Sequence, residues 1–381
     1  MSLTLCDTPN TAHCELQLPE ASSNWRSDTS DRLRLGLWSA VVQALDESGL
    51  PYAILGAPHR PLDLTESDLD FVVRAADFNI VPQLLATAAN SIGGYLIQAI
   101  RHETTAIYFA IARQEGEAVA FVNPDCTTDY RRRGRLWLSA DELLSERART
   151  PAGFFRPSPD VDFTYYLVKQ VLKQVLTHAQ WRKLTALYRS TVRPHYALSL
   201  WPPETQDEIV RALGQSKAAV FRNLVPRLSA ELRRTPYRQS LPDRTSHVAA
   251  ELARIAERAI HPTGLFVRIT NGGLEDRLWL AYQLAHALAP AFRRTWVPQR
   301  RSSVGVWRAL IASTLVVAPE ETGIAYGGIR VRWELAMTPA ENLQRAIAAV
   351  ISHLSRRTGL RLGLREPQGF AIEPDAEVRA Y

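Results

Sequence analysis

The sequence predicts a mixed α/β (α+β) protein made of a small mixed sheet, a helical subdomain and a second, reduced α/β unit. Three observations predict it. Tyr52 to Val73 reads as a strand, a small-residue turn at Gly56-Ala57, a polar loop and a second strand. Phe163 to Leu187 is helical in propensity along its whole length. From His261 onward an apolar strand, Pro262 to Val267, followed by a helix carrying Leu284 and Leu288, marks a further unit.

At 381 residues and 46% hydrophobic content the chain is long enough for two or three domains with buried cores. Residues 1–30 carry Ser, Thr, Asn and Pro without helical periodicity, and they lack the basic start and apolar core of a signal peptide. A flexible tail is expected there. From Asp31 to Ser48, Leu33, Leu37, Val41 and Leu45 recur at helical spacing, and Gly49 stops the helix ahead of the first strand. After the second strand, Val81, Leu84, Leu85 and Ala88 share one helix face. Ile107 to Ala112 and Ala118 to Val122 are apolar runs around Gln114-Glu115-Gly116-Glu117, which reads as a hairpin. This order suits a small mixed sheet with helices on one face, spanning residues 31–150.

The centre of that unit is Ser67-Asp68-Leu69-Asp70-Phe71. In a strand, alternate side chains share a face, so Asp68 and Asp70 point together while Leu69 and Phe71 point into the core. Two carboxylates held side by side repel unless a cation sits between them, and oxygen-only ligation favours Mg²⁺ or Mn²⁺. Asp-x-Asp by itself is also what a solvated strand edge looks like.

With the strand and glycine turn that precede it, the stretch resembles the nucleotidyltransferase fold shared by polymerase-beta-like and aminoglycoside-adenylylating enzymes. Their pattern is a Gly-Gly or Gly-Ser turn, a loop, Asp-x-Asp on the next strand and a third carboxylate later. The resemblance implies transfer of a nucleoside monophosphate from a nucleoside triphosphate such as ATP to an acceptor hydroxyl. It also implies that Gly56, Ala57 and Ser67 lie against the nucleotide. Ala57 departs from the pattern, because a Gly or Ser is usual there and a hydroxyl contact to the phosphates is missing. Strand alternation leaves the third carboxylate open between Asp125 and Asp129, since Pro124 interrupts the ladder. The resemblance favours Asp125: members from bacterial polysaccharide gene clusters are similar here, with an Asp followed by a run like Thr127 to Arg135. Asp68, Asp70 and Asp125 are then the implied metal ligands and catalytic residues. Arg131, Arg132, Arg133 and Arg135 read either as a phosphate-binding group or as a solvated face. His102 reads as a strand-end residue within reach of substrate.

Beyond a Pro-rich linker at Arg156 to Pro159, Lys169 and Lys173 stand four residues apart and share a helix face. The resemblance implies that this helix lends basic side chains to the triphosphate. Helices continue to about Arg238, with a break at Trp201-Pro202-Pro203, giving a helical subdomain over 151–240 and a linker helix over 241–260. From His261 the chain resembles the thymidylate-kinase-like P-loop domains that accompany such transferases. The strand at 262–267, the helix carrying Leu284 and Leu288, and the terminal Arg356 to Gly363 stretch carry that likeness. The phosphate loop does not match. Asn271-Gly272-Gly273-Leu274-Glu275-Asp276-Arg277-Leu278-Trp279 lacks the glycine spacing, the Lys and the hydroxyl that hold phosphates and Mg²⁺. Residues 261–381 are expected to be a degenerate kinase-like domain kept for packing or for a protein partner.

With 45 Lys and Arg against 39 Asp and Glu, the net charge of +6 suits an anionic ligand, while interspersed Arg and Glu do not form a nucleic-acid footprint. No run approaches the roughly 18–20 apolar residues that span a bilayer. Cys6, Cys14 and Cys126 have no zinc or redox spacing, which points to a reducing, cytoplasmic setting. The expectation is a Mg²⁺- or Mn²⁺-dependent nucleotidyltransferase acting on a nucleotide and an acceptor, linked to polysaccharide biosynthesis. The alternative is a non-catalytic scaffold whose transferase and kinase folds are both inactive.

Overall fold

The computed structural model describes residues 27–56, 69–215, 217–235, 238–298, 303–319 and 328–364. Ala57, Ser67 and Asp68 fall outside the described residues, as does most of the expected tail. The first helix, α1 (Ser27–Glu47), starts earlier than the spacing of its leucines suggests, with Asp28 in its first turn and the Ser30 hydroxyl donating to the Val119 carbonyl. The strands that follow are β1 (Tyr52–Ile54) and β2 (Leu69–Val73), then α2 (Val81–Ser91), β3 (Tyr95–Glu103), β4 (Ala106–Glu115), β5 (Ala118–Val122) and β6 (Pro124–Thr127). They form one sheet in the order β1-β2-β6-β4-β3, with β5 also on β4. All its pairings are antiparallel except β2 with β6.

Pro124 breaks the ladder without shifting it. On β4, Ile111 faces Val122 and Tyr108 faces Asp125, so β5 and β6 continue in one register across the break. Proline is tolerated because it stands first in its strand. Alternation therefore runs unbroken. Ala118, Ala120, Val122 and Cys126 pack with α1 and α2, while Phe121 and Asp125 belong to the opposite face.

Two layers cover that opposite face, where the sequence suggests helices on one side only. A small ribbon, β7 (Tyr130–Arg132) and β8 (Arg135–Leu138), leads to α3 (Ala140–Leu144), and a second ribbon, β9 (Ala148–Arg149) and β10 (Phe155–Arg156), leads to α4 (Pro159–Lys173). Leu143, Val161 and Tyr165 of α3 and α4 pack on Ala53, Leu55 and Val72. The predicted single helix over 163–187 is in fact two: Gln174 takes a left-handed conformation (φ 54°) that ends α4, and Thr177 and Gln180 form a reciprocal capping box that starts α5 (His178–Ser190). Next come α6 (His195–Leu198), α7 (Pro203–Gly214) and α8 (Ala218–Arg234), which close a separate apolar cluster around Phe163, Trp181 and Phe221. The linker helix is α9 (Leu241–Ile260), and none of its residues is buried.

The last unit comprises β11 (Leu265–Thr270), α10 (Leu274–Ala287), β12 (Arg294–Trp296), α11 (Ser303–Ile311), β13 (Thr314–Pro319), β14 (Ile329–Arg332) and α12 (Pro339–Leu362). Its strands form a parallel sheet in the order β12-β13-β11-β14. This unit does not stand apart: Ile97, Ala110, Ala112 and Phe121 of the first sheet share one core with Leu284, Val350 and Leu354. The Thr358 hydroxyl on α12 donates to the Ile97 carbonyl at 2.9 Å, a polar link across the same seam. Among the described residues no helix is long and apolar enough to cross a membrane.

A shared core couples the stability of the two units. Leu354 is fully buried in it, and Leu354→Ala should cost about 2–5 kcal/mol. Scanning calorimetry should then show one transition moved to lower temperature. Loss of a C-terminal transition alone, with the N-terminal one unmoved, would contradict the common core.

Candidate functional site

Parallel pairing of β2 with β6 sets Asp70 directly beside Asp125. Paired residues on neighbouring strands present their side chains to the same face of the sheet. For β2 that face is the one carrying Val72, against α4, and for β6 it is the one carrying Phe121. The two carboxylates thus lie where the cover of helices α3 and α4 meets that of the C-terminal unit. Leu69 and Phe71 point into the core on the other side, as alternation requires.

Helix α4 supplies the counter-charge. Lys169 forms an ion pair with Asp70 and also donates to the Tyr165 hydroxyl at 3.0 Å, which in turn donates to Asp70 at 3.3 Å. Burial works to raise the Asp70 carboxyl, but the charge and hydrogen bond of Lys169, with Lys173 and Lys183 behind it, hold it below the ordinary carboxylate value. Burial likewise opposes the charge on Lys169, and Asp70 and Asp125 outweigh it, so this ammonium is raised. Lys173 and Lys183 are lowered, first by burial; Lys169 adds repulsion to both. The Tyr130 ring meets Tyr165 edge-on with centroids 5.1 Å apart, which fixes the phenol that bridges Asp70 and Lys169.

The glycine turn is held from behind. Gly56 has φ +56°, a conformation that side chains other than glycine's rarely adopt. Its N–H donates to the Asp162 carboxylate at 2.7 Å, and Arg156 closes on the other oxygen of that buried carboxylate at 2.7 Å. A Cβ at Gly56 would lie 3.3 Å from the Lys183 ammonium. Lys183 thus stands over the turn, with its ammonium 5.0 Å from the centroid of the Tyr166 ring. Sequence reasoning missed Lys183 and Asp162. The signal that could have found Lys183 is the Thr177–Gln180 capping box, because two helices joined by a short turn fold back on each other and bring α5 to the site.

His102, at the end of β3, places its Nε2 3.8 Å from the Asp125 carboxylate. Burial, with Arg254 and Arg258 nearby, pushes its imidazole below the ordinary value, so it is neutral at pH 7. The arginine run divides. Arg131 pairs with Asp129 at 2.9 Å, and Arg135 is buried, donating to the carbonyls of Arg233 and Thr235 and lying over the Trp137 ring. Arg135 therefore ties the β7–β8 ribbon to the end of α8, a structural role. Asp129 accepts from the Ala140 N–H at 3.0 Å and is turned away into that ribbon.

At the start of the C-terminal unit, the loop after β11 is filled rather than open. Asn271 (φ 62°) and Gly272 (φ 77°) make the turn, and the Gly273 N–H at the start of α10 donates to the chain's own Asp276 at 3.1 Å. Asn271 Nδ2 donates to the Trp333 carbonyl, and a Cβ at Gly272 would meet the Trp333 ring at 2.7 Å. The Asp276 carboxylate and the Trp333 indole therefore close this turn from both sides.

Among the described residues, no group of three or more His, Cys, Asp and Glu is gathered closely enough to hold a metal ion. A scan against protein-family models, a search of curated proteins and a search of solved structures each returned no match.

The charge pairing fixes a pH response. Asp70, held below its ordinary value, contributes stability that is present above about pH 4 and is lost as pH falls through its depressed folded value. Lys169, raised, contributes stability present below about pH 10.4 and lost as pH rises through its raised value. Lys169→Met should cost about 2 kcal/mol at pH 7, between an exposed and a fully buried pair. The same change should lift the Asp70 carboxyl above its ordinary value, read by carboxyl-carbon NMR titration. An unmoved Asp70 titration in this variant would remove Lys169 from its role.

Proposed function

We propose that the chain is a metal-dependent nucleotidyltransferase working at the Asp70–Asp125 pair. The observation that carries this reading is the register of β2 on β6, which puts two carboxylates on one face, with Lys169 paired to Asp70 and the charges of Lys173 and Lys183 acting on the same carboxylate. Half-buried acid pairs close to several ammonium groups suit a polyphosphate that arrives with a cation, since both signs of charge then find partners.

The donor set fits a hard divalent cation: Asp70 and Asp125 offer adjacent carboxylates, and Asp68 stands two residues before Asp70 in the sequence. Bound there, Mg²⁺ or Mn²⁺ would supply the charge that draws the α-phosphate and the leaving pyrophosphate. The remaining tasks fall to this chain's own residues. Lys169 keeps Asp70 ionised and is the ammonium best placed to turn toward a triphosphate. Lys183, over the left-handed Gly56 turn, lies where the phosphate chain would pass. Asp125 and the neutral His102 beside it can take the proton from an acceptor hydroxyl as its oxygen attacks the α-phosphorus. The resemblance drawn from the sequence suggests that the acceptor belongs to polysaccharide assembly.

A non-catalytic interaction protein is the second reading, and the Lys169–Asp70 pair favours it: a lysine already satisfies the carboxylate that a metal would need. The filled loop after β11 agrees with a C-terminal unit kept for packing or for a protein partner rather than for phosphate transfer.

Nucleoside triphosphates with Mg²⁺ or Mn²⁺ should raise the melting temperature of the full chain, by mass action on the folded state. Asp70→Asn should abolish the metal-dependent part. Lys169→Ala/Lys173→Ala should weaken triphosphate binding by about 1.5–3 kcal/mol and leave monophosphate binding nearly unchanged. Equal triphosphate affinity in wild type and in all these variants would rule out a nucleotide site here.

A further inference from the structure

A cavity of about 370 Å³ opens where the end of β3, the loop entering α2 and the last turns of α9 and α12 meet. It is separate from the carboxylate site. Ala99 and Ile107, which line it, pack with the α1–α2 face of the sheet, whereas Asp125 belongs to the opposite face. Its polar wall is dominated by Arg101, Arg254, Arg258 and Arg361, with His261 beside them and Glu257 as the one carboxylate.

What these arginines bond to matters more than their number. Arg254 pairs with Glu251 at 2.7 Å. The others spend their donors on neutral oxygens: Arg101 on the Thr104 carbonyl at 2.8 Å, Arg258 on the Ile311 carbonyl at 2.9 Å and the Ser313 hydroxyl at 3.0 Å, and Arg361 on the Ala99 carbonyl. A carbonyl satisfies an N–H without cancelling the guanidinium charge. Among the described residues no carboxylate lies within ion-pair distance of Arg101, Arg258 or Arg361. Arg258 Nε, moreover, is buried without a hydrogen-bond partner there. The carbonyl ends of α9 and α12 reach the same cavity and offset part of the charge, but a helix end carries about half an elementary charge at most. Excess positive charge thus faces a cleft that is open to solvent on one side.

We propose that this cavity is a second binding site, independent of the carboxylate pair, for the phosphate group of a small phosphate monoester. Arginine forks match phosphate oxygens bidentately. The volume exceeds what a bare phosphate fills, and the lining also includes the apolar side chains of Ile107, Leu362 and Leu364. A compact organic group joined to the phosphate fits that mixed lining.

The test uses the full chain in EDTA, which silences metal-dependent nucleotide binding, with inorganic phosphate and ribose 5-phosphate as probes. Calorimetry should show ribose 5-phosphate binding more tightly than phosphate. Arg258→Gln and Arg361→Gln should each weaken ribose 5-phosphate by about tenfold or more, as loss of a charge-assisted hydrogen bond predicts. Lys169→Ala/Lys173→Ala should bind it as wild type does. Hydrogen exchange should slow in segments 254–261 and 357–364 on adding the probe, a readout that needs no variant to fold. Absence of binding, wild-type affinity in both arginine variants, or protection confined to β2, β6 and α4 would overturn the proposal.

Discussion

The parallel contact between β2 and β6 is the constraint on which the candidate site depends. Every other pairing in the first sheet is antiparallel, and this one brings together residues 55 positions apart so that Asp70 and Asp125 meet in register. A slip of one residue would turn one carboxylate into the apolar α1–α2 layer. Phe71 and Cys126, both fully buried beside the acid pair, hold the register from the core side. Helix α4 then completes the arrangement, since nearly all of its faces are buried and its lysine meets the carboxylate at a defined depth.

Much of this was legible in the sequence. The alternation Leu69-Asp70-Phe71 fixed which side chains enter the core, and Gly56 fell where a left-handed turn is needed. Asp125 was legible in principle: it keeps the parity of Phe121, because Pro124 interrupts one hydrogen bond without adding a residue. The helix break at Gln174 left a trace only in the capping residues behind it, since glutamine is not a usual left-handed residue. The covered second face of the sheet also left a trace. Phe109-Ala110-Ile111-Ala112 is apolar on both sides of the strand, the pattern of a strand buried twice, and its second partner lies some 170 or more residues away in the chain where no local pattern can point to it.

That shared core changes how the C-terminal unit is understood. The parallel sheet is not an isolated domain, since Thr358 and Arg361 of α12 donate to the backbone carbonyls of Ile97 and Ala99 on β3 of the first sheet. The unit acts as the second wall of the sheet that carries Asp125. Asp276 at the head of α10 and Trp333 against Gly272 make its loop a closed structural turn.

We propose that Lys169 is the resident counter-ion of a cation site built by Asp70 and Asp125. Crystals soaked with Mn²⁺ and a non-hydrolysable nucleoside triphosphate test it directly through anomalous scattering. A manganese peak touching both carboxylates is expected, with the Lys169 ammonium moved from Asp70 to a phosphate oxygen. No peak at the pair, with Lys169 still on Asp70 at saturating Mn²⁺ and nucleotide, would contradict it.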